Sequence, residues 1–278
     1  MREPLSTGAC LSSRALSRSR KARVGWELAS ELLFRSVAHV VVLVLLPLRV
    51  APPLVAATAG TTGVVAAIAL GQGRFIPAAL LLQLKTVLDN ADGQLARLSG
   101  RITAFGRYLD SELDLLVNAA LFAAVAWSTG RTTLAVAGFV ALTTVLSVNF
   151  NAERLYRAER GEAAGAMPET SGRADGLLRW LYRLLYAPQD RLVEGFAAHR
   201  LRHAGPQARL AYHDRTTVSI LANLGMSTQL LVFGVCIAAG RPALFAWIAL
   251  AELCFVLLLC LRRELLIRTV NHLKEESL

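Results

Sequence analysis

The stretch Asp89-Asn90-Ala91-Asp92-Gly93-Gln94-Leu95-Ala96-Arg97, followed after a short link by Gly106-Arg107-Tyr108-Leu109-Asp110-Ser111-Glu112-Leu113-Asp114, decides the fold. Apolar sequence leads into it over residues 75–88 and out of it over 115–127. With the motif's own ends, each side is long enough to cross a bilayer as a helix. Several carboxylates therefore sit in or beside hydrocarbon, where an ionised side chain costs at least ~2.5–3.5 kcal/mol. Such charge persists only when something compensates it. Asp89 and Asp92 are three positions apart, and Asp110 and Asp114 four, so each pair lies on one helix face. Two antiparallel helices joined by the link 98–105 bring those faces together. Four converging carboxylates repel one another and protonate in part unless they hold cations. All-oxygen ligands of this kind suit magnesium, manganese or calcium. Arg97, Arg101 and Arg107 lie in or next to the link, too far along the helices to pair with all four acids.

The order Asp-x-x-Asp-Gly-x-x-Ala-Arg, eight residues, Gly, three, Asp, three, Asp resembles the signature of the CDP-alcohol phosphotransferases, membrane enzymes of phospholipid head-group synthesis. Every fixed position is filled, by Asp89, Asp92, Gly93, Ala96, Arg97, Gly106, Asp110 and Asp114. The resemblance implies that Asp89, Asp92 and Asp110 are metal ligands. Asp114 then either joins the metal site or removes the acceptor's proton. It also implies a homodimer. Family members often carry Thr-Pro-Asn followed by Thr near the first span. Here Ala51-Pro52-Pro53 and Ala56 stand instead, so polar roles of that segment do not carry over.

Composition agrees with a membrane enzyme. The chain has 278 residues, 54% of them hydrophobic, enough for several spans and little soluble domain besides. Its net charge of +10 comes largely from arginines in the tails and between apolar runs. That pattern points to anionic lipid rather than nucleic acid, which would want aromatic platforms on a polar domain. Cys10, Cys236, Cys254 and Cys260 form no CxxC pair, and the last three lie in apolar runs. They read as small apolar residues.

The expected architecture is all-α: an integral membrane bundle of six transmembrane helices with an N-terminal interfacial helix. Residues 1–25 read as an unfolded basic tail of a bacterial membrane protein, and 26–50 as an interfacial amphipathic helix, since the uninterrupted apolar core 40–46 is too short to span. The catalytic domain covers 51–262. Its spans are expected near 54–70, 75–95, 108–127, 132–148, 218–238 and 242–261, with a long polar loop at 149–215 and a tail at 263–278. Pro52-Pro53 suits the first turn of its helix. Within the loop, 176–187 carries an amphipathic pattern that would rest on the membrane surface. His199 and His203 have helical spacing but no third ligand in view. Six spans with Met1 inside place most arginines inside, so the acidic motif faces the cytoplasm, where a soluble nucleotide is available.

The resemblance implies the chemistry of a CDP-alcohol transfer, and the residues are read against it. When an alcohol attacks a cytidine diphosphate ester and CMP leaves, both phosphates gather negative charge. Divalent cations, Mg2+ or Mn2+ and expected as a pair, clamp the attacked and leaving oxygens. Asp114 lies one turn deeper than Asp110, toward the lipid-soluble partner, which suits a base in a poorly solvated site. Gly93 and Ala96 let either a nucleotide or a neighbouring helix approach the backbone. Gly106 opens a helix where amides meet a phosphate. Arg97 either contacts phosphate or ties the hairpin. For the acceptor, Lys85 stands one turn before Asp89 and pairs either with the carboxylates or with an anionic acceptor group. Asn118 continues the acid face. Arg154 and Arg157 either recognise a phosphorylated acceptor or form a solvated positive-inside face. Glu252, alone in the sixth span, reads as a packing or subunit contact. The favoured donor is CDP-diacylglycerol. The rival reading is a cation transporter using intramembrane carboxylates, but transport favours acids spread across the bilayer depth on several helices.

Overall fold

A computed structural model describes residues 24–162 and 187–275. The basic stretch 1–23, most of the amphipathic pattern at 176–187 and the last residues of the tail lie outside the described residues. Most of those described are helical, with no strand among them. The all-α expectation holds.

Several helix ends have a reason in the sequence. A π-helical turn, Ser30–Phe34, leads into α1, Arg35–Leu45. Helix α2, Pro52–Gly71, has its prolines at the opening positions, where the missing N–H has no intrahelical partner to lose. Helix α3, Phe75–Ser99, ends at Gly100 with φ +69°, a left-handed cap that glycine adopts without steric cost. The link is only residues 100–103, and the Thr103 side chain caps α4, Ala104–Thr129, by accepting from the Gly106 N–H. Helix α5, Thr132–Glu159, follows. After the undescribed segment come α6, Ala187–Arg200, α7, Pro206–Tyr212, α8, Arg215–Ala222, α9, Met226–Ala238, and α10, Pro242–Glu275.

Four stretches are long and apolar enough to cross a membrane by length and composition: Pro52–Gly71, Thr132–Glu159, Pro206–Ala238 and Pro242–Thr269. The remaining two expected crossings, α3 and α4, have 25 and 26 residues, about 38 Å each at 1.5 Å per residue. Their length exceeds the ~30 Å hydrocarbon core, but their charged residues dilute their hydropathy.

Hydropathy misplaces several boundaries. The helix of the fourth expected span, α5, runs to Glu159 rather than to about 148, and α10 continues to Glu275. A helix ends where its hydrogen bonding ends, not where its lipid contact does. The expected fifth span, 218–238, is broken at 223–225. There Asn223 closes α8 and bonds the Ser219 carbonyl, while Gly225 turns to an extended conformation. The Glu27 carboxylate fills the break and accepts the Thr228 N–H at 3.2 Å, capping α9. A Cβ on Gly225 would lie 2.8 Å from that carboxylate, so the approach requires glycine.

The main core joins α2, α3, α4, α5, α9 and α10. Phe233 and Phe245 stack with centroids 4.2 Å apart, and Phe122 leans on both. Small residues let α2 lie close on α4: a Cβ on Gly63 would come within 2.6 Å of the Val117 methyls. A second cluster packs Ala38 and Val42 of α1 on Ala91, Leu95 and Leu98 of α3. This holds α1 along the half of α3 that carries the acid motif.

Candidate active site

The tight link sets the register of the acids. Asp92 is seven residues before Ser99 and Asp110 six after Ala104, each about 10 Å along its helix from the link. Asp89 and Asp114 lie one turn further in. The hairpin therefore stacks two layers, Asp92 with Asp110 and Asp89 with Asp114.

Carboxylate oxygens of Asp89, Asp92 and Asp110 all lie within 4.8 Å of one another. Asp114 does not belong to that trio. Its carboxylate pairs instead with Lys85, whose Nζ also lies 3.1 Å from Asp89. Lys85 is 1% exposed, so it cannot snorkel and its charge is matched inside the protein. One lysine at this depth faces four carboxylates. The trio is an all-oxygen, hard donor set of the right spread for a magnesium or manganese ion, and the residues fit such a group.

A cavity of about 230 Å³ opens on this cluster. Among the described residues lining it are Asp89, Asp92, Gly93, Arg97, Asp110 and Asp114. A Cβ on Gly93 would meet the Arg97 guanidinium at 3.3 Å, so the glycine gives that side chain room to fold back beside the acids.

The other sequence-derived candidates sit elsewhere. Ala96 and Gly106 are not among the lining residues, and the Gly106 amide is engaged by the Thr103 cap. Asn118 is buried one turn below Asp114, with Nδ2 3.8 Å from the sulfur of Met226, which does line the cavity. Arg154 bonds Asn151 and pairs with Glu194, and Arg157 pairs with Glu153 at 2.8 Å. These two lie on the extension of α5 beyond its apolar part. Glu252 accepts from Gln229 at 2.6 Å, a contact between α9 and α10.

Several lining residues carry no motif. Ser30, Glu31 and Arg35 come from the N-terminal helix, Asn90 and Gln94 from variable positions of the signature, and Met226 and Ser227 from the broken fifth span. The polar ones among them signal themselves in the sequence only as polarity beside apolar stretches, and Met226 gives no signal at all.

A model of the CDP-alcohol phosphatidyltransferase family matches residues 34–182, more than half of the sequence and all of the acid motif. The chain belongs to this family. Phosphatidylinositol phosphate synthase of Corynebacterium glutamicum is 35% identical over 122 residues, covering 44% of this chain and 55% of that protein. The chain thus spans about half the length of the curated relative it matches. In this CDP-alcohol phosphatidyltransferase family member, the eight signature residues fall on the two helices that build the cavity wall.

Proposed function

We propose that the protein is a membrane transferase of phospholipid biosynthesis that moves a phosphatidyl group from CDP-diacylglycerol to a hydroxyl acceptor and releases CMP. The observation that carries this reading is the trio Asp89, Asp92 and Asp110, converging within 4.8 Å at a cavity that Arg97 also lines, in a chain of this family. Magnesium or manganese held by the trio supplies positive charge for the donor's diphosphate. Arg97 adds a fixed guanidinium for the same phosphates. Asp114, outside the trio and in the deeper layer beside Asp89, accepts the proton of the attacking hydroxyl, and Lys85 orients its carboxylate.

For the acceptor, a phosphorylated alcohol is the first choice and inositol phosphate the first among these, by similarity to the Corynebacterium glutamicum relative. Glycerol phosphate is the second. Six crossings, a homodimer and a cytoplasmic site with both termini inside complete the reading; the arginine distribution supports the orientation. Acids gathered at one point of one hairpin favour transfer over cation transport.

The experiment incubates membranes containing the protein with labelled CDP-diacylglycerol and a panel of acceptors, and identifies the lipid product. Product only with inositol phosphate supports the full reading. Product with another acceptor corrects the acceptor alone. Failure of every acceptor to release CMP overturns the transferase reading.

A further inference from the structure

The N-terminal helix is tied to the acid helix by bonds that also shape the cavity. Asn90, between two metal-site acids, accepts from Ser30 Oγ at 3.1 Å and donates to Ser227 Oγ at 3.3 Å. Gln94, one turn on, donates to the backbone carbonyl of Arg35 at 3.1 Å. One face of α3 thus presents acids to the cavity, while its flank fixes the backbone around Arg35. Upstream, Leu28 N–H donates to Asn223 and Asn223 donates to the Trp26 carbonyl, anchoring the helix entry in the break of the fifth span.

The same segment departs from α-helical geometry. Arg35 N–H donates to Ser30 O, a five-residue closure. In an α-helix five residues make about 1.4 turns, which would turn Ser30 away from Arg35. The π turn stacks them, and Ser30, Glu31 and Arg35 all line the cavity. Single π turns inside helices recur at functional sites.

We propose that Arg35 is a donor-phosphate contact supplied by the N-terminal helix, and that Glu31, its ion-pair partner one turn earlier, holds it until the nucleotide binds. The inference rests on the transferase reading. An arginine offers a fork of donors that matches phosphate oxygens, and it is the residue type suited to such a contact on a partly desolvated wall. Arg35 is largely buried and its backbone is held from α3, so its guanidinium works from a fixed base near the acids. Glu31 lines the same cavity, and its negative charge opposes an incoming diphosphate. Binding therefore exchanges one anionic partner of Arg35 for another, and the two residues act on nucleotide affinity with opposite signs.

Opposite signs separate this role from a structural ion pair. The test is calorimetry of CDP binding to the full-length protein in detergent with Mn2+ present, for the parent, Arg35→Met, Arg35→Lys and Glu31→Gln. Arg35→Met is expected to weaken CDP binding by roughly 10–100-fold, the worth of a charged hydrogen bond. Arg35→Lys should fall between, since a point charge cannot make the forked contact. Glu31→Gln should bind CDP more tightly than the parent. Should Arg35→Met not fold, the other two variants still decide the matter. Parent-like affinity in the arginine variants overturns the proposal, and so does weakened binding in Glu31→Gln. If the parent itself binds no CDP with Mn2+, the transferase reading fails together with this one. If the parent binds and Asp89→Asn does not, a parent-like Arg35→Lys or Arg35→Met overturns the Arg35 contact alone.

Discussion

Lys85 on α3 and Asp114 on α4 form a buried ion pair across the helix hairpin, and Lys85 simultaneously reaches Asp89 at 3.1 Å. This single cation joins the two helices at the deeper layer of acids. Removing one partner of a buried pair costs about 3–5 kcal/mol, because the other charge is left uncompensated. Lys85→Met should therefore lower the thermal midpoint in the presence of a chelator. Saturating Mn2+ should recover part of the loss, since a bound cation replaces some of the missing charge. A midpoint equal to that of the parent in chelator would show that Lys85 does not compensate the acids.

Turnover should require a divalent cation. Among the described residues, Glu31, Asp89, Asp92, Asp110 and Asp114 bring five carboxylates to the cavity, which the cations of Arg35, Arg97 and Lys85 do not match, so a negative surface faces a negative diphosphate. Exhaustive chelation is expected to stop CMP release, and added Mg2+ or Mn2+ to restore it. Full activity in the chelated protein would remove the metal from the reaction.

The close approach of α2 to α4 should be equally sensitive. A methyl at residue 63 would meet both Val117 methyls at 2.6 Å and the Lys85 side chain at 3.2 Å. Overpacking of this kind costs about 1–3 kcal/mol. Gly63→Ala should lower the thermal midpoint and reduce turnover together, because the displaced helix carries Asp110 and Asp114. A stable variant with unchanged CMP release would mean that the hairpin tolerates a shift of α4.

The acid cluster is legible in the sequence because its information is local. Spacings of three and four residues survive folding as helix faces, and a short link forces the two faces together. The cavity's remaining wall is not local. Ser30 meets Asn90 across 60 positions, and Leu28 meets Asn223 across 195. Neither pairing leaves a periodicity that a window of sequence can detect. The break in the fifth span is hidden for a related reason: three residues interrupt the helix, while hydropathy averages across them. Glu27 looks like one more charge in a polar lead-in, yet it is 1% exposed and caps α9. The overrun of α5 to Glu159 shows the converse limit, since hydropathy reports the lipid boundary and not the helix end.

The last prediction separates the four acids. Asp89, Asp92 and Asp110 share the close trio, whereas Asp114 stands outside it, paired with Lys85. Asn is nearly isosteric with Asp, but it carries no charge, is a poorer ligand for hard cations and cannot act as a base. Changing any member of the trio to Asn should weaken metal-dependent nucleotide binding as well as turnover. Asp114→Asn should leave CDP and Mn2+ affinity near the parent level, while turnover falls roughly 10²–10⁴-fold, the usual worth of general acid–base catalysis. Calorimetry with CDP across a Mn2+ titration, run beside the CMP-release assay, reads both halves. Nucleotide binding lost in Asp114→Asn as in Asp89→Asn would make Asp114 a ligand first. Turnover retained in Asp114→Asn would leave Lys85 and Asp114 a structural pair and require another base at the cavity.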